Sequence, residues 1–153
     1  MQLIAPSMAH IHELMAWFPD EPSIRVWGGP VFRYPFTEES FLHDVHWERM
    51  ATFVLADERN AMVGFGQLYN KVGRAHLARL VVSPSQRGKG NGSALVRLLI
   101  DKGCELFPYT ENSLYVMRTN ERAMRCYLKF GFEEVPMPHG ERVHPDQVFM
   151  VRK

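Results

Sequence analysis

Apolar positions change period along the chain, and each change marks an element. Residues 2–5 are short and β-like. Ile11, Leu14, Met15 and Phe18 then recur at the spacing of one helix face, with Ser7 placed to cap it, so a helix is expected through about residue 18. Residues 19–35 lose that rhythm. Four prolines and the pair Gly28-Gly29 interrupt them, and Trp27, Phe32 and Tyr34 make an ordered, aromatic loop the expectation. Thr37 with Glu39 and Ser40 marks a second helix start, whose apolar side is Phe41, Leu42, Val45 and Trp47. Residues 52–56 and 62–69 are β-rich runs joined by the polar turn Asp57-Glu58-Arg59-Asn60, and residues 75–82 extend this hairpin to a meander stopped by Ser83-Pro84.

The second half alternates. A long helix is expected over residues 90–107, with Leu95, Val96, Leu99, Ile100 and Gly103 facing inward. A strand at 114–117, a helix at 121–130 and strands at 133–135 and 148–151 follow. This order predicts one α/β or α+β domain over residues 1–153, built around a mixed sheet.

Composition narrows the classes. Hydrophobic residues make up 46%, charged residues 23%, and the formal net charge is +1, so no basic excess points to nucleic acid or an anionic membrane. No apolar run approaches the ~18 residues of a membrane span. Residues 1–6 lack a basic region followed by an apolar stretch, so no signal peptide is expected. Cys104 and Cys126 lie outside zinc-ligand spacing and are expected to be buried, reduced thiols in a cytoplasmic protein. His10 and His12 have no third ligand nearby, so no metal is expected.

The chemistry concentrates in Leu80-Val81-Val82-Ser83-Pro84-Ser85-Gln86-Arg87-Gly88-Lys89-Gly90-Asn91-Gly92-Ser93. A strand ends, a turn follows, and a glycine-rich segment opens a helix. Free N–H groups at a helix start carry partial positive charge and suit phosphate, glycines let its oxygens reach the backbone, and Arg87 and Lys89 add full charges. A P-loop needs Gly-Lys-Ser/Thr with a glycine five residues before that Gly; here Lys89 precedes Gly90 and Ser83 holds the earlier glycine position. The dinucleotide pattern G-x-G-x-x-G puts Ser93 at its third glycine and expects the loop after a first strand, whereas this loop follows the fourth.

Arg87-Gly88-Lys89-Gly90-Asn91-Gly92 instead resembles the acetyl-CoA signature of the GNAT superfamily of N-acetyltransferases, Arg/Gln-x-x-Gly-x-Gly/Ala. Asn120, Ala123, Tyr127 and Gly131-Phe132 follow at the distance of that family's second segment, and the resemblance is specific over about residues 74–135. It implies a mixed sheet of about seven strands with helices on both faces and splayed central strands at 78–82 and 114–117. By the same resemblance the backbone of Arg87, Gly88, Lys89, Gly90, Asn91, Gly92 and Ser93 holds the diphosphate of acetyl-CoA. Leu80, Val81 and Val82 pair with the pantetheine arm, an N–H near Val81 receives the thioester oxygen, and Asn120 and Ala123 adjoin the cofactor.

The implied reaction is direct attack of a primary amine on the thioester, with Tyr127 as the acid that protonates the departing thiolate. No base stands out. The strand Ala75-His76-Leu77-Ala78-Arg79 holds no carboxylate, His76 reads as a surface residue at a strand entrance, and Glu48, Asp57 and a water chain stay open. The family places the acceptor against the first two helices and their loop, where Trp27, Tyr34 and Glu48 are candidates among many rings and carboxylates that suit a cation. The loop at 136–145, with His139, Gly140 and His144, borders that site in the family. A small amine or amino-acid-like metabolite is the expected acceptor. A protein N-terminus or lysine, or a non-catalytic acyl-CoA sensor, are the alternatives; the chain is expected as a monomer or homodimer.

Overall fold

In a computed structural model, which describes residues 1–108, 111–138 and 144–153, the hydrophobic rhythm resolves into twelve main elements. In chain order these are β1 (Gln2–Ile4), α1 (Met8–Met15), α2 (Glu21–Gly28), α3 (Glu38–Val45), β2 (Ala51–Ala56), β3 (Met62–Lys71) and β4 (Arg74–Val82). After a 3-10 turn (Pro84–Gln86) come α4 (Asn91–Leu106), β5 (Asn112–Met117), α5 (Glu121–Lys129), β6 (Glu133–Val135) and β7 (Gln147–Arg152). Local chemistry sets the helix starts. Ser7 and His10 form a reciprocal cap on α1, and Thr37 and Ser40 do the same on α3.

The stretch at 19–35 departs from the sequence expectation, because it contains α2. Asp20 Oδ1 accepts from Ser23 N–H at 2.9 Å, and Pro22 lies in the first turn, where its missing N–H has no intrahelical partner to lose. Three helices, not two, therefore precede the meander. Trp47 lies beyond α3, which closes at His46 in the left-handed region (φ 52°). It still packs on the same core as α3.

The seven strands form one mixed sheet in the order β1-β2-β3-β4-β5-β7-β6. The β2–β3 turn is held by Asp57, whose Oδ1 accepts from Arg59 N–H and Ala61 N–H. The β3–β4 turn is two residues long, Val72 (φ 48°) and Gly73 (φ 78°), the mirror-image turn that matches strand twist. The last strand, β7, pairs antiparallel with both β5 and β6, so it lies between them. β4 pairs with β5 in parallel, and that ladder covers only Ala75–Leu77 against Asn112–Leu114, although both strands run further.

Two compact units divide the chain, residues 1–67 with 79–95 and residues 68–78 with 96–153. The first has a core of Ile11, Leu14, Phe18, Ile24, Phe32, Phe41, Val45, Val54 and Phe65, all buried. In the second, the predicted inward face of α4 is borne out at Val96, Leu99, Ile100 and Gly103. Gly103 suits the close approach there, because an added Cβ would lie 3.1 Å from the Cβ of Ala75 and one of the two would have to give. The cysteines depart from expectation: Cys104 is exposed and Cys126 half-buried. Among the described residues, no helix is long and apolar enough to cross a membrane.

Candidate active site

The glycine-rich loop begins where β4 stops. Ser83 N–H donates to Val63 O at 2.8 Å, and Gln86 N–H donates back to Ser83 O at 2.9 Å, closing the 3-10 turn. Arg87 Nε then donates to Val82 O at 3.1 Å, and Asn91 Nδ2 to Gln86 O at 2.9 Å, so side chains tie the loop to the strand it leaves. Gly88 (φ 79°) and Gly90 (φ 81°) both adopt the left-handed region that other residues avoid. Around Gly90 nothing lies within 4 Å of where a Cβ would stand, so its backbone faces open space. Gly88, Lys89 and Gly90 are exposed, and α4 opens at Asn91, at the helix end that carries partial positive charge. Bared amides, a helix start and the Arg87 and Lys89 cations together fit a diphosphate.

Upstream, β4 carries an irregularity that its sequence does not announce. The two-residue turn sets Lys71 opposite Arg74, and that register carried along would put Val63 opposite Val82. Ser83, not Val82, donates to Val63 O, so β4 holds one extra residue. Arg79 (φ 52°) marks that bulge. Its carbonyl accepts from Trp27 Nε1 at 2.8 Å, and its Nη1 donates to Gln67 Oε1 at 2.9 Å. Gln67 is wholly buried, with Nε2 donating to Val45 O and Thr52 Oγ1.

The acceptor candidates lie in the same unit. Trp27 stacks on Phe18 (4.4 Å between centroids) and Phe41 (6.0 Å), with Phe32 and Phe65 beside it. Tyr34 meets this cluster through Phe36 and donates its hydroxyl to Pro19 O at 3.1 Å. Glu48 is exposed, and Asp57 is engaged in its turn. Sequence pattern gives no sign of His46, which is half-buried with its ring 5.8 Å from that of His43. Burial first, then the Arg79 charge, with further contributions from His43 and Arg49, lower its pKa against the opposing pull of Asp44. Asp44 itself is buried, and burial alone would raise its carboxyl. The Arg33 guanidinium and backbone N–H, with His43, override this and hold it down at about 2.

The remaining candidates belong to the second unit. Asn120 caps α5, its Oδ1 accepting from Ala123 N–H at 3.3 Å. Tyr127 lies one turn before the α5 terminus, its ring edge-on to Phe132 at 5.9 Å. Burial, with a smaller push from Cys126, raises its phenol above the ordinary range. His76 corrects the sequence reading: it is buried, not at the surface. Its Nδ1 bonds Ser113 Oγ at 2.8 Å, and the rings of Tyr69, Tyr115 and Phe149 surround it. β4 is interior to the sheet, and rings from β3, β5 and β7 cover the His76 side chain. In the last loop His144 Nδ1 accepts from Asp146 N–H, while His139 and Gly140 lie outside the described residues. Among the described residues no group of three or more His, Cys, Asp or Glu could hold a metal ion.

A glycine loop at a helix start, following a strand whose parallel ladder with β5 ends at Leu77, makes a site suited to a phosphate-bearing ligand. The family model of the acetyltransferase (GNAT) family matches residues 11–132, and the chain belongs to that family. It is an N-acetyltransferase with acetyl-CoA as the acetyl donor. Aminoglycoside N(6')-acetyltransferase type 1 of Klebsiella pneumoniae is 28% identical over 149 residues, 86% of this chain and 74% of that protein. Spermidine N(1)-acetyltransferase of Escherichia coli (strain K12) is 29% identical over 113 residues, 71% of this chain and 58% of that one. Among solved structures, spermidine N-acetyltransferase from Vibrio cholerae in complex with CoA and spermine superposes with a TM-score of 0.75 at 20% identity, covering 98% of this chain and 93% of that one.

Proposed function

We propose that this enzyme acetylates a primary amine of a small, cationic metabolite. The observation that carries the reading is the exposed loop with left-handed Gly88 and Gly90 at the start of α4. The relatives named for aminoglycosides and spermidine supply the acceptor class. The family match from residue 11 to 132 runs through both compact units, which supports a single catalytic domain. The absence of a membrane-crossing helix among the described residues fits a cytoplasmic site of action.

In this reading Arg87, Gly88, Lys89, Gly90, Asn91, Gly92 and Ser93 grip the diphosphate of the cosubstrate. Leu80, Val81 and Val82 bond its pantetheine arm, with Asn120 and Ala123 beside it. Bound acetyl-CoA supplies an acetyl thioester open to attack by an uncharged amine. A backbone N–H near Val81 draws electron density onto the carbonyl oxygen. As the C–N bond forms and the C–S bond breaks, the amine gives up a proton to solvent or a base, and Tyr127 donates a hydrogen bond to the departing sulfur. Tyr34 and Glu48 are the proposed acceptor contacts, a ring and a carboxylate that together favour an ammonium ion, whereas the indole of Trp27 is taken up by Phe18, Phe41 and the Arg79 carbonyl.

Thiol release from acetyl-CoA tests this against spermidine, spermine, an aminoglycoside and a peptide with a free N-terminus. The expected result is release with at least one of the three small amines. Release with the peptide alone would turn the reading toward protein acetylation. Calorimetric binding of CoA without release under any amine would make the protein a sensor.

A further inference from the structure

We infer that Trp27 is a positioning residue for acyl transfer, its indole N–H fixing the β4 bulge from which the carbonyl-polarising amide projects. The inference rests on the reading just given, in which that amide lies near Val81. A bulged residue leaves the strand ladder, so its backbone groups need partners from elsewhere. An indole N–H set among aromatic rings needs an acceptor. Arg79 and Trp27 meet both needs with one bond of 2.8 Å.

The peptide plane transmits the effect. The Arg79 carbonyl and the Leu80 N–H belong to one rigid trans unit and point in opposite directions. Pinning the carbonyl toward Trp27 therefore aims the Leu80 amide away from it and sets the direction in which the chain enters Val81. The other end of Arg79 is held as well. Its guanidinium lies 5.3 Å from the Phe32 ring centre and donates to Gln67, which the Val45 carbonyl and Thr52 hydroxyl anchor in turn. A phenylalanine at position 27 could still stack on Phe18 and Phe41, although it fills less of the space. Only the indole brings a donor, and the donor goes to the bulge.

The test compares Trp27→Phe with Ile11→Val, a mild change in the same buried core that does not touch the bulge. For Trp27→Phe the expected kcat is on the order of ten- to a hundredfold lower, the scale of a reacting group misplaced by a fraction of an ångström to one ångström. KM for acetyl-CoA and the calorimetric Kd for CoA should rise by far less than kcat falls, because the diphosphate loop is untouched and only the pantetheine contacts at residues 80–82 are loosened. Without cofactor, amide hydrogen exchange at residues 80–82 should quicken in Trp27→Phe and not in Ile11→Val. An unchanged kcat, or a loss shared equally by Ile11→Val, overturns the inference while wild-type CoA binding leaves the wider reading standing. Failure of the wild type to bind CoA overturns both. Should Trp27→Phe not fold, the wild-type protein decides: the Trp27 indole proton must exchange as slowly as the β4 backbone, and exchange at the rate of an exposed indole defeats the inference.

Discussion

A phenol can serve as an acid only while it keeps its proton; an ordinary pKa of about 10 secures that near neutral pH, and the surroundings of Tyr127 push it higher still. The same shift makes it a weaker acid than free tyrosine, and a thiol titrates near 8.5. Tyr127 in the proposed reaction therefore stabilises the leaving sulfur by hydrogen bonding more than by complete transfer. Tyr127→Phe should lower kcat on the order of a hundredfold, the scale of one lost transition-state donor, with KM for acetyl-CoA nearly constant; steady-state kinetics checks both. Asp44 gives a second prediction at this scale. Its folded pKa of about 2 lies below the ordinary 3.8, so below pH about 4 the unfolded chain takes up the proton first. The stability it contributes is complete above that range and drains away as pH falls toward 2. Melting temperatures measured across this window should drop more steeply in the wild type than in Asp44→Asn.

Among the elements, the loop before α4 is the most legible, because charge, glycine spacing and helix position all appear in the sequence. Helix α2 is hidden for a definite reason. Pro22 reads as a breaker, yet with Asp20 capping it occupies the one turn where proline is tolerated, and the exposed Val26 and Arg25 blur the apolar stripe. The β4 bulge has no signal at all. Arg79 is not a residue that favours positive φ, and what holds it there comes from Trp27 and Gln67, distant in sequence. His76 escapes a sequence reading because its burial depends on which strands flank β4, which local pattern does not reveal. A substitution in the loop tests the legible part. Gly90→Ala meets no neighbour but must hold φ 81°, a strain of about 1–2 kcal/mol for an L-residue. The exposed loop of the free protein can relax from that angle and binding must restore it, so calorimetry should show CoA binding weakened about tenfold, since 1.4 kcal/mol corresponds to that factor, while the melting temperature hardly moves.

For the molecule as a whole, strand order is the feature least available to the eye. Nothing local says that β7 enters between β5 and β6, since the pairing is decided by which edges remain open once the earlier strands have assembled. The fold class is readable from element alternation alone. The site is readable only where consecutive residues build it; Tyr127 and Asn120 emerge from family likeness, not from pattern.

The turn between β3 and β4 has a practical consequence. Val72 is a branched side chain forced to φ 48° at an 81% exposed position, so it contributes strain and almost no packing. Asparagine ahead of the native Gly73 is the pair such a turn prefers, and Val72→Asn should raise the melting temperature by a few degrees in a thermal scan. Because the residue touches neither loop nor bulge, the variant offers a sturdier background on which damaging active-site substitutions can still be purified and measured.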